Sequence, residues 1–167
     1  MDIFRKCYDW DEAKAAIRRG VYPYFRPLEG TEGTEVISEG RKILMIGSNN
    51  YLGLTTHPKV REAARKALDK YGPSCTGSRF LNGTLSIHHE LEARLAAFIG
   101  KESALVFSTW MQTNLGAISA LVGRDDVVIV DKEDHASIVD GCRLGLGEMK
   151  RYVHGDMEQL DRILAKI

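Results

Sequence analysis

Apolar residues recur at helical spacing in three stretches of the first hundred residues, which also contain a hairpin and an irregular connection. Residues 2–19 predict a surface helix, and residues 58–71 predict a second helix that begins with Pro58 and ends before Gly72. A third predicted helix carries its apolar residues on one face and ends before a glycine; these residues are Ile87, Leu91, Leu95, Phe98 and Gly100. Residues 34–47 predict a β-hairpin with its turn at Glu39-Gly40. Residues 22–35 hold two prolines and two glycines and predict an irregular connection.

From residue 103 onward the pattern alternates between short β-rich runs and amphipathic stretches. Strands are predicted at 103–107, 126–130 and 149–153, and helices at 112–121, 136–144 and 156–167. The run DVVIV (126–130) is typical of a strand that is buried on both faces. Asp156, with Gln159 three residues later, predicts a capping box for the last helix. Alternating strands and helices indicate an α/β fold with a parallel sheet flanked by helices.

Composition and charge exclude several classes of protein. Hydrophobic residues make up 44% and charged residues 28%, which predicts a globular protein. The net charge is zero, so no basic excess indicates binding to nucleic acid. No apolar run approaches the roughly 18 residues of a membrane span, and the N-terminus lacks the apolar core of a signal peptide. Three widely spaced cysteines (Cys7, Cys75 and Cys142) favour a reducing, cytoplasmic location over a disulfide framework.

Two polar segments follow predicted strands, where open α/β sheets usually bind ligands. In STWMQTN, after the first strand, Ser108 or Thr109 could cap a helix, or the free N–H groups there could bind a phosphate. In DKEDHAS, after the second strand, His135 could stack on an aromatic ligand or transfer protons. The alternatives are a helix cap at Asp134, a merely polar histidine, or a metal site formed by Asp131, Asp134 and His135.

Two further polar loops are candidate binding segments. Ser78 and Arg79 lie in a glycine-rich loop that could bind an anion or could simply be solvated. Asn49 and Asn50 could adopt left-handed turn conformations or could present amides to a carboxylate.

Five segments occur in an order and spacing that resemble the α-oxoamine synthase family. They are GSNNYLGLTTHPKV, GSRFLNGT, HHELEARLAAFIGKESALVF, STWMQTN and DKEDHASIVDG. The segments YPYFRP, GSRFLNGT and HASIVDGCRLG are most similar to the bacterial serine palmitoyltransferase branch, with 8-amino-7-oxononanoate synthases as close relatives. The resemblance implies the large domain of aminotransferase fold type I. It also implies a dimeric, pyridoxal-phosphate-dependent acyltransferase that condenses serine or glycine with an acyl-CoA, in serine palmitoyltransferases as a step of sphingolipid synthesis.

The resemblance also implies roles for individual residues. His135 is expected to stack on the pyridine ring of the cofactor. The backbone at Trp110 and Met111 is expected to hold the cofactor phosphate, and Ser108 and Thr109, from the same segment, are expected to bind the cofactor with it. Asn49 or Asn50 is expected to contact the amino-acid carboxylate, and Ser78 and Thr84 to approach the active site of the dimer partner. No metal ligands are implied.

Two departures from the family pattern change the expectations. Trp110 stands where the family usually has glycine, so its ring is expected to crowd the phosphate site. None of the ten lysines matches the serine-rich motif whose lysine binds the cofactor covalently. We therefore expect an N-terminal fragment, with an N-terminal segment at 1–50 and an incomplete cofactor-binding domain at 51–167. The alternative is a non-catalytic module that pairs with a full-length homologue.

Overall fold

The computed structural model describes residues 2–30 and 33–167, which divide into two compact units at Ser74 and Cys75. The first unit contains α1 (Arg5–Asp9), α2 (Glu12–Arg18), β1 (Glu35–Ser38), β2 (Arg41–Leu44) and α3 (Pro58–Tyr71). The second contains α4 (Ser86–Ile99), α5 (Trp110–Leu121), β3 (Val127–Asp131), α6 (Ala136–Leu144), β4 (Glu148–Tyr152) and α7 (Met157–Leu164). The predicted irregular connection over 22–35 includes residues 31 and 32, which lie outside the described residues.

The elements of the first unit follow the sequence pattern closely, with one correction. The hairpin pairs β1 and β2 antiparallel, and α3 spans the predicted residues with Gly72 at its end. The helix predicted over 2–19 is instead two helices, because Trp10 adopts an extended conformation with ψ of 108°. Asp9 and Asp11 flank that break, and aspartate favours turns and helix ends over helix interiors.

The second unit contains the parallel sheet that the strand and helix alternation predicts. Strands β3 and β4 pair in parallel, with Val127 opposite Glu148 and Asp131 opposite Tyr152. Helix α6 connects these strands and packs against α5. Val130 and Cys142 are almost fully buried, but the other residues of β3 are only half-buried. The expectation of a strand buried on both faces therefore holds only at Val130 within this unit.

Residues 103–107 do not form the predicted strand. The N–H group of Val106 donates to the Glu92 carboxylate at 3.0 Å, and its carbonyl accepts from Arg79 at 3.3 Å. A strand needs a ladder of backbone hydrogen bonds to a neighbouring strand, and none pairs with this segment in the part of the chain that the structure describes. The described sheet in this unit therefore has two strands rather than three.

Two helix ends differ from the prediction. Helix α5 begins at Trp110, two residues earlier than expected, because Thr109 caps it. Helix α7 ends at Leu164, and its capping box is half formed. Asp156 accepts from the Gln159 N–H at 2.8 Å, but the Gln159 side chain accepts from Val153 instead of returning to Asp156.

Candidate functional site

The first turn of α5 presents hydrogen-bond donors suited to an anion. Thr109 Oγ1 accepts from the Gln112 N–H at 3.1 Å, and the Thr109 carbonyl accepts from the Thr113 N–H. The N–H groups of Trp110 and Met111 precede the first hydrogen bonds within the helix and point out of its positive end. The predicted cap at Thr109 is confirmed. The two N–H groups and the exposed Ser108 hydroxyl form a donor set whose chemistry fits a phosphate.

His135 lies at the first turn of α6 and caps that helix itself. Its Nδ1 accepts from the Ser137 N–H at 3.2 Å and lies 2.7 Å from the Ser137 hydroxyl. The ring is otherwise exposed, so one face is available to a planar ligand. The alternative of a cap at Asp134 is wrong, because the Asp134 carboxylate accepts from the N–H of Asp131 at 3.0 Å.

Asp131, at the carboxyl end of β3, is paired with a residue that the sequence pattern did not single out. Its Oδ2 lies 3.0 Å from Nδ1 of His154, and its Oδ1 accepts from the Glu133 N–H at 2.8 Å. The Glu133 hydrogen bond and then the His154 contact lower the pKa of Asp131, and the Asp131 hydrogen bond raises the pKa of His154. The carboxylates of Asp131 and Asp134 thus have local partners. Across residues 2–30 and 33–167, no three His, Cys, Asp or Glu side chains converge on a possible metal position.

The GSRFLNGT loop closes on itself at its two glycines. The Ser78 carbonyl accepts from the Gly83 N–H at 2.8 Å, and Thr84 Oγ1 donates to the Arg79 carbonyl at 2.6 Å. A Cβ at Gly83 would lie 1.8 Å from the carbonyl oxygen of Gly77, so only glycine permits this closure. The loop presents Thr84 and Arg79 on one side, towards the segment that precedes α5.

Arg79 is an ion-pair partner rather than a free anion-binding group. Its guanidinium donates to both oxygens of Glu92, at 2.5 and 3.1 Å. That contact and the Val106 N–H lower the pKa of Glu92 to about 2, and the same pair raises the pKa of Arg79. Sequence reasoning missed Glu92, although Arg79 and Glu92 both lie in the segments that carry the family resemblance.

One pocket of about 640 Å³ brings two predicted site residues together. Ser108 and Thr84 line it, and Arg79 and Gln112 add polar groups. The rest of the lining is apolar and consists of Phe80, Leu105, Val106, Phe107 and Leu115. The loop with Thr84 and the segment before α5 therefore share one cavity, whereas Ser78 does not line it.

Asn49 and Asn50 belong to the first unit and form a turn there. The Asn50 carbonyl accepts from Gly53 at 3.0 Å, and its Oδ1 accepts from the Thr55 N–H at 3.3 Å. Asn49 Oδ1 accepts from the Tyr51 hydroxyl at 3.4 Å. Both residues line a depression of about 600 Å³. Asn50 begins a turn, but the expected left-handed conformation of these asparagines is wrong, because the non-glycine residues with positive φ in the described chain are Phe25 and Glu39. Contact with a substrate carboxylate stays a prediction.

The sequence matches a known family over three quarters of its length. The model of the family described as aminotransferase class I and II matches residues 41–167. The chain belongs to that family. It is 52% identical to serine palmitoyltransferase of Sphingobacterium spiritivorum over 89% of this chain, and 57% identical to that of Bacteriovorax stolpii over 86%. It is 47% identical to 8-amino-7-oxononanoate synthase of Geobacter sulfurreducens over 89% of this chain. These matches confirm the resemblance on which the expected site was based.

Solved structures confirm the fold. A serine palmitoyltransferase from S. paucimobilis with a bound PLP–myriocin aldimine superposes on the whole chain with a TM-score of 0.92 and 37% identity, and the match covers 43% of that protein. The serine palmitoyltransferase of Sphingomonas wittichii gives a TM-score of 0.88 and 40% identity, with the same coverage. The chain therefore has part of the aminotransferase large-domain fold.

The matched region is the smaller part of these relatives. The chain spans 37% of the Sphingobacterium enzyme, 34% of the Bacteriovorax enzyme and 38% of the Geobacter synthase. Within the described residues, no helix has the length and apolar character needed to cross a membrane. The cytoplasmic location stays a prediction.

Proposed function

We propose that this chain forms the N-terminal part of a pyridoxal-phosphate-dependent acyltransferase that joins an amino acid to an acyl-CoA, as serine palmitoyltransferases do. The observation that carries the proposal is the second unit's donor set at Ser108–Met111 together with the exposed ring of His135. The helices that carry these groups pack against each other, and the solved relatives that superpose on the chain include one with bound pyridoxal phosphate.

The chemistry of the donor set supports a phosphate at the start of α5. The N–H groups of Trp110 and Met111 and the hydroxyl of Ser108 would bind the phosphate oxygens, and the helix dipole would favour their negative charge. Arg79 would contribute little positive charge, because Glu92 neutralises it in the described chain. The binding energy for the phosphate would thus come mainly from backbone groups.

His135 would provide a flat surface for the cofactor ring and hold it in one orientation. Pyridoxal phosphate, when bound, supplies an electron sink for carbanion chemistry at the amino acid's α-carbon. His135 would keep the ring in place and limit its access to water, and Asn49 or Asn50 would bind the carboxylate of the amino acid. Ser78 and Thr84 would approach the active site of a dimer partner.

The proposal requires a second polypeptide region that brings a lysine to the cofactor. A polypeptide region that carries such a lysine would provide it, which a second copy of these 167 residues would not, and it would cover apolar surface of the second unit. Phe98 is 88% exposed, Leu105 68% and Trp110 70%, so the second unit has large apolar side chains that another polypeptide could cover. The same exposure favours the second candidate function, a non-catalytic module that binds a full-length homologue.

Complementation tests the proposed function directly. The chain is co-expressed with the remaining C-terminal portion of the Bacteriovorax relative, and release of CoA is measured with serine and palmitoyl-CoA. We expect CoA release that depends on both chains and on added pyridoxal phosphate, and that falls with His135→Ala. Glycine replaces serine in a parallel reaction and identifies the preferred amino acid.

Two outcomes separate the candidate functions. A stable complex that releases no CoA with serine or glycine contradicts the acyltransferase proposal and supports the binding module. Co-purification of the chain with a full-length serine palmitoyltransferase, without any change in that enzyme's activity, supports the module further. CoA release that His135→Ala leaves unchanged contradicts the role assigned to His135.

A further inference from the structure

A chain of hydrogen bonds connects α5 to His135 through a buried serine. Asn114, on α5, donates from Nδ2 to the Ser137 hydroxyl oxygen at 2.8 Å. Ser137, on α6, is only 3% exposed, and its hydroxyl lies 2.7 Å from His135 Nδ1. A buried hydroxyl with two such short contacts has little freedom to choose other partners.

The direction of these bonds favours one of the two tautomers of the neutral imidazole. The Ser137 backbone N–H can only donate, and it points at His135 Nδ1 from 3.2 Å. This contact favours an Nδ1 that accepts and carries no proton, and a second donor is needed to hold that tautomer firmly. Because the Ser137 oxygen already accepts from Asn114, its own hydrogen is directed to Nδ1 as a second donor. A neutral imidazole then holds its proton on Nε2, at the side of the ring away from α6.

We propose that Asn114 and Ser137 are positioning residues that hold the His135 ring in one orientation and in the Nε2–H tautomer. The functional value of that tautomer rests on the proposed function, in which the ring faces the cofactor. Since Asn114 lies just over one turn from the start of α5, the same contacts also fix His135 relative to the N–H groups of Trp110 and Met111. The phosphate-binding and ring-stacking groups would thus be held at a constant separation.

Close packing of the two helices makes the connection possible. A Cβ at Gly141, on α6, would lie 2.8 Å from the carbonyl oxygen of Asn114 and 3.1 Å from Cδ1 of Ile118. Glycine at this position lets α6 approach α5 closely enough for Asn114 to reach Ser137. The position is buried, so a larger residue would have to separate the helices.

The tautomer can be measured without cofactor or activity. The chain is labelled with 15N-histidine, and long-range 1H–15N correlation spectra distinguish protonated from unprotonated ring nitrogens at a pH where His135 is neutral. His135→Gln assigns the signals by difference. We expect His135 to be predominantly Nε2–H in the unmodified chain, and a predominant Nδ1–H form there overturns the proposal by itself.

Asn114→Asp replaces the donating amide with a carboxylate of almost the same shape, so the hydrogen bond to the Ser137 hydroxyl must reverse its direction. The carboxylate can only accept, so the Ser137 hydroxyl would turn towards it and no longer donate to Nδ1. We expect the Nδ1–H fraction of His135 to rise several-fold. Asn114→Ala, which frees the Ser137 hydroxyl to rotate, should raise the Nδ1–H fraction less. The control Ser119→Ala removes a hydroxyl on the same helix that donates to the Leu115 carbonyl within α5, and it should leave the tautomer unchanged.

The outcomes separate this proposal from the proposed function. A tautomer that neither Asn114 variant changes in a folded chain overturns the positioning role, whether or not the protein binds cofactor. Circular dichroism shows whether Asn114→Asp folds. If it does not, the His135 tautomer measured in Asn114→Ala and in the unmodified chain decides the proposal. A tautomer that responds as expected supports the positioning role even if the complementation experiment gives no CoA release, and in that case only the proposed function fails.

Discussion

Arg79 and Glu92 form a bidentate ion pair, and the same two side chains also bond the backbone N–H and carbonyl of Val106. The guanidinium contacts both carboxylate oxygens, Glu92 accepts from the Val106 N–H, and Arg79 donates to the Val106 carbonyl. The pair thereby connects the GSRFLNGT loop, helix α4 and the segment that leads to Ser108. It provides for Val106 the hydrogen bonds that a neighbouring strand would otherwise supply.

We expect this pair to make stability depend on pH in acid. The pKa of Glu92 is about 2, below its ordinary value of 4.5. Its contribution is therefore fully present above pH 4.5 and is lost as the pH falls towards 2. Glu92→Gln should lower the unfolding temperature by several degrees at neutral pH and remove this part of the acid dependence, measured by thermal denaturation across pH.

A matched control is available on the same helix. Glu90 forms an exposed pair with Arg94 at 3.6 Å, and such surface pairs contribute little to stability. Glu90→Gln should leave both the unfolding temperature and its acid dependence almost unchanged. Equal effects of the two substitutions would contradict the structural role assigned to Glu92.

The Asp131–His154 pair predicts a loss of stability in mild base. The pKa of His154 is raised above its ordinary value of 6.5, so its contribution is complete below pH 6.5 and is lost as the pH rises through the higher folded value. Urea unfolding of the chain should therefore give a lower free energy of unfolding above the folded pKa of His154 than below pH 6.5. His154→Gln and Asp131→Asn should each remove that loss, whereas retention of the full pH dependence in both would show that another group causes it.

Gly141→Ala should destabilise the packing of α5 against α6. Alanine gains about 1 kcal/mol over glycine in a helix, but overpacking a buried contact costs roughly 1–3 kcal/mol. The backbone oxygen 2.8 Å from the new Cβ cannot turn away, so we expect net destabilisation on the order of 1 kcal/mol. Gly116→Ala, in α5, meets only the partly exposed Phe107 ring and should be nearly neutral in the same urea titration.

Trp110 is expected to weaken binding of the cofactor phosphate. It stands at the first position of α5, where its backbone N–H is one of the proposed phosphate donors and its side chain is 70% exposed. Trp110→Gly should increase retention of pyridoxal phosphate, measured by absorbance after gel filtration. It should not give CoA release by the 167-residue chain alone, because no lysine of the matching motif is present.

The unmodified chain by itself should hold no stoichiometric cofactor. Exposed lysines are mostly protonated at pH 7, since their reference pKa is about 10.4, and they bind an aldehyde weakly. A cofactor absorbance close to one equivalent, together with CoA release from serine and an acyl-CoA, would contradict both expectations. His57→Gln, far along the sequence from the proposed site, provides a matched histidine control for non-specific binding.

Self-association of the isolated chain is expected from its exposed apolar surface. Large apolar side chains of both units are exposed, including Phe25 at 93% and Phe80 at 94%. Sedimentation velocity should show oligomers or aggregates that decrease when the complementing chain is added. A chain that stays a monodisperse monomer across the concentrations tested would contradict this prediction.

The sequence by itself determined the elements whose signals are local. Pro58 and Gly72 bound α3, Gly100 in a left-handed conformation ends α4, and the turn at Glu39-Gly40 forms the hairpin. These signals are local because each proline or glycine restricts or permits the backbone conformation at its own position. The ordered motifs also identified the family, because their order and spacing carry more information than any single motif.

Only the tertiary structure decided how distant side chains are paired. The 103–107 run has the composition of a strand, but a strand forms only when a neighbour completes its ladder, and here Arg79 and Glu92 take the hydrogen bonds of Val106 instead. The Asp131–His154 pair and the connection from Asn114 through Ser137 to His135 each span 21 residues or more along the chain. No local pattern encodes such contacts, because they depend on how closely α5 and α6 pack and on the register of β3 with β4.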